Sequence, residues 1–292
     1  MKPIKLFLLC FIVTLVMAIS WSIGSLLGNL ITSSAPPPLT DASNAGLAFL
    51  GVCVFNSVLI VILLRAADLY YGRRKKTELI LFVFTIQTLL PQMETFFFAS
   101  GIGIGYDQAT AIVIAGVIMS FSTVMIAVLV DRKLLGPSPS EKLLVIPGFK
   151  GKKILPWLAL LTCVAYPLLY LTFGYYVAWQ NESLRIYYTD SAAMTPYFQG
   201  IGDALMNGIY FFQILRSLIW IIVTVPIAVM LKEKPVVQLI VIGLLTSLLP
   251  TSLLFIPNPY MPANIAMVHF VETAISNLVW GLLMVIVIRK FI

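Results

Sequence analysis

Residues 265–290 read IAMVHFVETAISNLVWGLLMVIVIRK. Between Ile265 and Ile288 the only ionisable side chains are His269 and Glu272, and the run closes on the basic pair Arg289-Lys290. At ~1.5 Å per residue a helix of this length crosses the roughly 30 Å hydrocarbon layer of a bilayer. Hydrocarbon offers the backbone no partner, so a spanning segment must bond internally as a helix or close into a barrel. The run is too long and too evenly apolar for a barrel strand, which alternates in polarity. It therefore reads as a spanning helix that carries a few polar groups.

Seven more runs of this kind precede it: Leu6–Ile31, Ala45–Leu64, Leu79–Ser100, Ala109–Leu129, Ile154–Trp179, Gly208–Leu231 and Val236–Phe255. The composition agrees. Of 292 residues, 60% are hydrophobic and 11% charged, against about 45–50% and ~25% in soluble domains. So few charges cannot coat a water-soluble protein of this size, and disorder needs the opposite composition. The expected fold is all-α, a polytopic integral membrane protein of eight transmembrane helices in a single transmembrane domain over 1–292.

The loops alternate in charge. Lys2 and Lys5 precede the first span, Arg65 and Arg73 to Lys76 lie between the second and third, and Arg132, Lys133, Lys142, Lys150, Lys152 and Lys153 lie between the fourth and fifth. Lys232 and Lys234 follow the sixth span, and Arg289 and Lys290 follow the eighth. Of the 19 basic residues only Arg185 and Arg216 fall elsewhere. By the positive-inside rule both termini are expected in the cytoplasm, in a cell membrane such as the bacterial inner membrane. The net charge of +7 thus reads as orientation, and no nucleic-acid partner is expected. Lys2, Lys5 and Ala18-Ile19-Ser20 imitate a signal peptide, but the apolar run continues to Ile31, which predicts an uncleaved span.

Smaller features read as structure. Cys10, Cys53 and Cys163 lie inside apolar runs, where cysteines serve as small buried hydrophobes. Gly24 and Gly28 are spaced to let another helix approach closely. Pro36-Pro37-Pro38 suggests an extended linker, and the glycines from Gly101 to Gly105 a turn. The second half of the Tyr-rich segment 180–207 is expected to form a helix along the interface. Asn181-Glu182-Ser183 has the form of a glycosylation acceptor.

Leu89-Leu90-Pro91 and Leu248-Leu249-Pro250 each follow a basic loop, and each is followed by a turn, a span and a basic pair. This suggests two parallel four-helix halves, 1–133 and 154–290, joined by a cytoplasmic loop over 130–153. Parallel repeats of this kind occur in transporters.

Four ionisable residues lie within spans: Glu94, Arg216, His269 and Glu272. A charge at mid-bilayer costs roughly 2.5–3.5 kcal/mol on insertion scales, so such residues avoid lipid. Counted from the span ends, all four sit roughly 6–12 Å below the outer surface. Gln87, Pro91, Glu94 and Phe98 share one helical face. Gln213, Arg216, Ser217, Trp220 and Thr224 share another, and His269, Glu272, Thr273, Ser276 and Trp280 a third with Asn277 at its edge. Three polar stripes at one depth point to one interior site. Pro91 frees a backbone carbonyl one turn before Glu94.

His269, Glu272 and Glu94 are the candidate catalytic residues, and Arg216, Gln213 and Asn277 the candidate substrate-binding residues. His269 can carry protons near neutrality, and Arg216 holds a carboxylate ionised. One histidine with two carboxylates is also a metal set by donor type, though no HExxH is present and the sequence names no cofactor. The inner halves of the spans carry no charge, which fits a site open to the outer face better than a channel or pump. Three readings follow. The first is a membrane-embedded enzyme or ligand-binding protein acting on an outer-leaflet, lipid-linked or extracytoplasmic small substrate. The second is a secondary transporter with an outward-biased site. The third is a structural subunit, whose partners beyond the lipid bilayer would be other membrane subunits.

Overall fold

Each of the eight apolar runs is helical in the computed structural model, which describes residues 2–35, 42–67, 73–99, 104–136, 151–231 and 235–291. The expected linker Pro36–Pro38, the residues Gly101 to Gly103, Lys142, Lys150, Lys232, Lys234 and most of the 130–153 connection lie outside these. In chain order the helices are α1 (Lys2–Thr32), α2 (Ala42–Ala66), α3 (73–97), α4 (Tyr106–Leu135) and α5 (151–178). Then come α6 (Glu182–Thr189), α7 (Tyr197–Met206), α8 (Ile209–Met230), α9 (Pro235–Thr251, continued by a 3₁₀ turn over Ser252–Phe255) and α10 (Ala263–Arg289). All but α6 and α7 are long and apolar enough to cross a membrane, eight in total. Helix makes up 88% of the described residues, and no strand occurs among them. This is the architecture of a multi-pass integral membrane protein.

Two helices differ from the expectation in ways that matter below. α3 widens into a π turn over Thr85–Leu89, and α5 does so over Leu161–Ala165 and again over Gly174–Ala178. In each of the first two cases a proline, Pro91 or Pro167, stands second after the π turn. The preceding N–H then reaches back five residues, from Leu90 to Thr85 O and from Tyr166 to Leu161 O. Proline itself donates nothing, so carbonyls one turn earlier need other donors. In α5 the neighbouring helix supplies them. Tyr210 Oη donates to Cys163 O at 2.7 Å, and Ser217 Oγ lies 3.2 Å from Thr162 O while also reaching Ile214 O at 2.7 Å.

Small residues set the helix spacing. A Cβ at Gly28 would stand 2.4 Å from Ala111 O, and one at Gly24 2.9 Å from Ala115 Cα. The spaced glycines of α1 are thus the seat of α4. A threonine–glycine contact recurs in two pairs of helices. Thr88 of α3 fills the space beside Gly116 of α4, and Thr246 of α9 fills that beside Gly281 of α10. Between the first four and last four spanning helices, contacts include α2 with α9, α3 with α8 and α3 with α9.

At the basic end, side chains read as orientation signals also lock helix ends. Lys75 Nζ donates to Ala67 O at 2.6 Å beyond the end of α2, the favoured place for a cation at a helix C-terminus. Arg65 pairs with Asp131 of α4 at 3.1 Å, Arg289 Nη1 donates to Gln238 Oε1 at 2.8 Å, and Lys290 lies 4.7 Å over the Trp157 ring. α4 runs on to Leu135, past the expected Leu129, and the Arg65–Asp131 pair lies on the added stretch.

The opposite end is rich in tyrosine. The segment after α5 forms two helices rather than the one expected. Asn181, read as a glycosylation acceptor, is the N-cap of α6, its Oδ1 accepting from Leu184 N at 3.0 Å. α7 leaves Phe198 and Met206 exposed on its surface, as a helix lying in an interface does. The three cysteines are all unpaired thiols. Cys53 is buried as expected, but Cys163 is exposed on the flank of α5, because the π turn presents it outward beside the Tyr210 contact.

Candidate functional site

α8 begins at Gly208, whose φ of +75° turns the chain out of α7. One turn later Phe212 stacks on Phe97 of α3, with ring centroids 4.2 Å apart, which sets the two helices level. Arg216 then faces Glu94. Its Nη1 donates both to Glu94 Oε1 and, at 2.9 Å, to Gln213 Oε1. The Arg216 side chain is 6% exposed and that of Glu94 33%. Depth and helical face thus brought the right partners together.

On α10 the i, i+3 spacing places His269 Nδ1 4.0 Å from Glu272 Oε2. The same carboxylate oxygen accepts from Thr273 Oγ1 at 2.9 Å. His269 Nε2 meets Tyr188 Oη of α6 at 2.8 Å, and the Tyr188 ring stands edge-on to the imidazole. Burial pushes the Tyr188 phenol above its usual range, and the nearby Tyr187, Glu94 and Glu272 push it further. Tyr188 Oη and His269 Nε2 thus share one hydrogen bond, whose donor follows the imidazole tautomer, while Nδ1 faces Glu272. Tyr188 is not legible from the sequence, because α6 is short and its approach to α10 is a tertiary event.

The two pairs are one cluster. Glu94 lies within electrostatic reach of Arg216, Glu272 and His269 together. Its floor is aromatic. Trp220 Nε1 donates to Tyr166 Oη at 3.2 Å, and the Tyr166 ring lies 4.8 Å from that of Trp280. Its roof is α6, held by Tyr187 donating to Tyr260 O, while Tyr260 Oη in turn donates to Gln108 Oε1. Arg185 ties the roof down through Trp179 O at 2.6 Å and Ala192 O at 2.8 Å.

The backbone carbonyl of Asn277 accepts from Thr246 Oγ1 at 3.1 Å in the α9–α10 seam, deeper along α10 than Glu272. Gln87 lies inside the π turn of α3, which breaks the plain helical register between it and Glu94.

Three buried donors around the cluster have no acceptor: Arg216 Nε, Gln213 Nε2 and Trp280 Nε1. Among the described residues no three His, Cys, Asp or Glu side chains are placed to share a metal ion. No protein-family model matches the chain, and no curated protein or solved structure matches it either.

Proposed function

We propose that the chain is a membrane-embedded enzyme or ligand-binding protein acting on an outer-leaflet, lipid-linked or extracytoplasmic small substrate. In this reading both termini are cytoplasmic, the tyrosine-rich end faces outward, and the membrane is a cell membrane of bacterial inner-membrane type. The observation that carries it is the set of unfilled donors beside the ion pair. Arg216 Nε and Gln213 Nε2 are buried without acceptors, while the adjoining Glu94 carboxylate is 33% exposed. A buried unpaired donor carries the whole cost of its lost hydration, and an acceptor oxygen from a ligand removes that cost. Glu94 already neutralises the Arg216 guanidinium, so no surplus positive charge remains for an anion. A neutral carbonyl or hydroxyl oxygen suits the donors best.

The chemistry such a site supports is general acid–base transfer. In this reading His269 and Glu272 are the proton-transfer groups, Tyr188 orients the imidazole through Nε2, and Arg216 with Gln213 holds the acceptor oxygen.

The test is native mass spectrometry of detergent-purified protein against a panel of short-chain phospholipids and isoprenyl-linked sugars. Wild type retains one ligand class, and Gln213→Leu and His269→Ala lose it at unchanged thermal midpoint. Equal retention by all three proteins rejects the reading.

The secondary-transporter reading has its own support. The contacts α2–α9, α3–α8 and α3–α9 are those that two parallel halves related by a twofold axis would exchange, and the threonine–glycine contact occurs in both. Flux of the retained ligand across proteoliposomes would favour this second reading.

A further inference from the structure

An apolar pocket between α2, α3 and α4 fixes the relative level of the three helices. Ile60, Leu63, Leu79, Val83, Val124 and Ala127 line it. One turn from that pocket, toward the tyrosine-rich end, each helix carries a polar residue on the same face. Asn56 precedes Ile60 by four residues, Ser120 precedes Val124 by four, and Gln87 follows Val83 by four. Because α3 runs opposite to α2 and α4, all three displacements point to the same end. Ser57 and Thr123 flank them, three residues before Ile60 and four before Ala127.

All five side chains are 0% exposed. Both amide atoms of Asn56 and of Gln87 lack a partner, and so do the hydroxyls of Ser57, Ser120 and Thr123. A helical hydroxyl ordinarily donates to the carbonyl one turn back, as Thr162, Thr246 and Thr251 do here. These three do not. The backbone adds to the set, because Pro91 has no N–H to give to the Ile86 or Gln87 carbonyl. In α5 the matching carbonyls receive hydroxyls from α8. In α3 they lie beside the unpartnered Gln87 amide.

The donor set is chemically uniform. It offers five uncharged side-chain oxygens and nearby backbone carbonyls, with no charged residue within one turn on any of the three helices. Thiolate and imidazole metals are disfavoured by such oxygens, and divalent cations want carboxylates. Neutral oxygens at an opened helix turn replace the hydration shell of a monovalent cation. We propose that Asn56, Ser57, Gln87, Ser120 and Thr123 form a binding site for a monovalent cation of the Na⁺ type, built on the π turn of α3. The site is independent of the ligand assigned to the Arg216 cluster. Its position has a consequence, since Glu94 lies on the same helix beyond the same π turn and Pro91. An ion that tightens the π turn sets the orientation of the half-helix that carries Glu94.

The experiment is thermal unfolding of the purified full chain in detergent, titrating NaCl against choline chloride at constant ionic strength. Na⁺ raises the midpoint saturably and choline does not. Ser120→Ala and Gln87→Leu move the half-saturating Na⁺ concentration upward by about tenfold or more, the loss of one good ligand. Asn56→Asp moves it downward, because a carboxylate replaces a neutral oxygen. A midpoint identical in the two salts would overturn the proposal and assign the cluster to water. A Na⁺ response unchanged in all three variants would overturn it as well.

Discussion

Replacing Arg216 by alanine removes one guanidinium and disturbs two partners at once. The Arg216 side chain is 6% exposed, and one nitrogen serves both Glu94 and the fully buried Gln213. Breaking a buried ion pair from one side costs ~3–5 kcal/mol, most of it the penalty of the charge left behind. Glu94 is then left as an uncompensated carboxylate within a span, so the expected loss is about 3–5 kcal/mol. Glu94→Gln in the Arg216→Ala background restores some of it, since no bare carboxylate remains. The assay is a double-mutant cycle on reversible unfolding in mixed micelles. The Arg216–Glu94 cycle should show roughly 1–3 kcal/mol of coupling. The Arg216–Glu272 cycle should be nearly additive, because Glu272 is engaged by Thr273 and His269. Additivity at Glu94, or larger coupling at Glu272, refutes the pairing.

Gly28→Ala sets a Cβ 2.4 Å from Ala111 O and should destabilise by about 1–3 kcal/mol, the cost of overpacking. Gly51→Ala meets nothing within 4 Å and should be silent in the same unfolding assay. The Tyr188 phenol is pushed upward on folding, so above about pH 10 the unfolded state ionises first and stability falls as pH rises. Tyr188→Phe should flatten that alkaline limb of the unfolding midpoint against pH; an unchanged slope excludes a buried phenol. Reporter fusions after Leu39 and Asn181 should read outside and those after Lys75 and Lys150 inside, and either pair reversed inverts the topology.

What the sequence makes legible follows from what is local. The eight helices are visible because hydrocarbon forces each long apolar run to bond within itself. The Arg216–Glu94 partnership is visible because charges are costly at depth, and helical spacing then fixes their faces. The π turns are not visible. Pro91 and Pro167 mark where backbone bonding must change, but the widened turn in α5 is held by Tyr210 and Ser217 from another helix. A plain helical wheel sets Gln87 on the Glu94 face, but the π turn over Thr85–Leu89 breaks that register. α6 was legible in principle, since Asn181-Glu182 is a sound helix start. The neutral groups Asn56, Ser57, Ser120 and Thr123 raised no signal, because uncharged polar residues cost little in a hydropathy scan.

The most direct measurement of the central claim, one polar site in the outer half of the membrane, is thiol accessibility. Cysteines are placed singly at Glu94 and His269 in a chain from which Cys10, Cys53 and Cys163 have been removed. A membrane-impermeant thiol reagent added outside intact cells should label both. Labelling only in inverted vesicles, from the cytoplasmic side, would contradict the outward site.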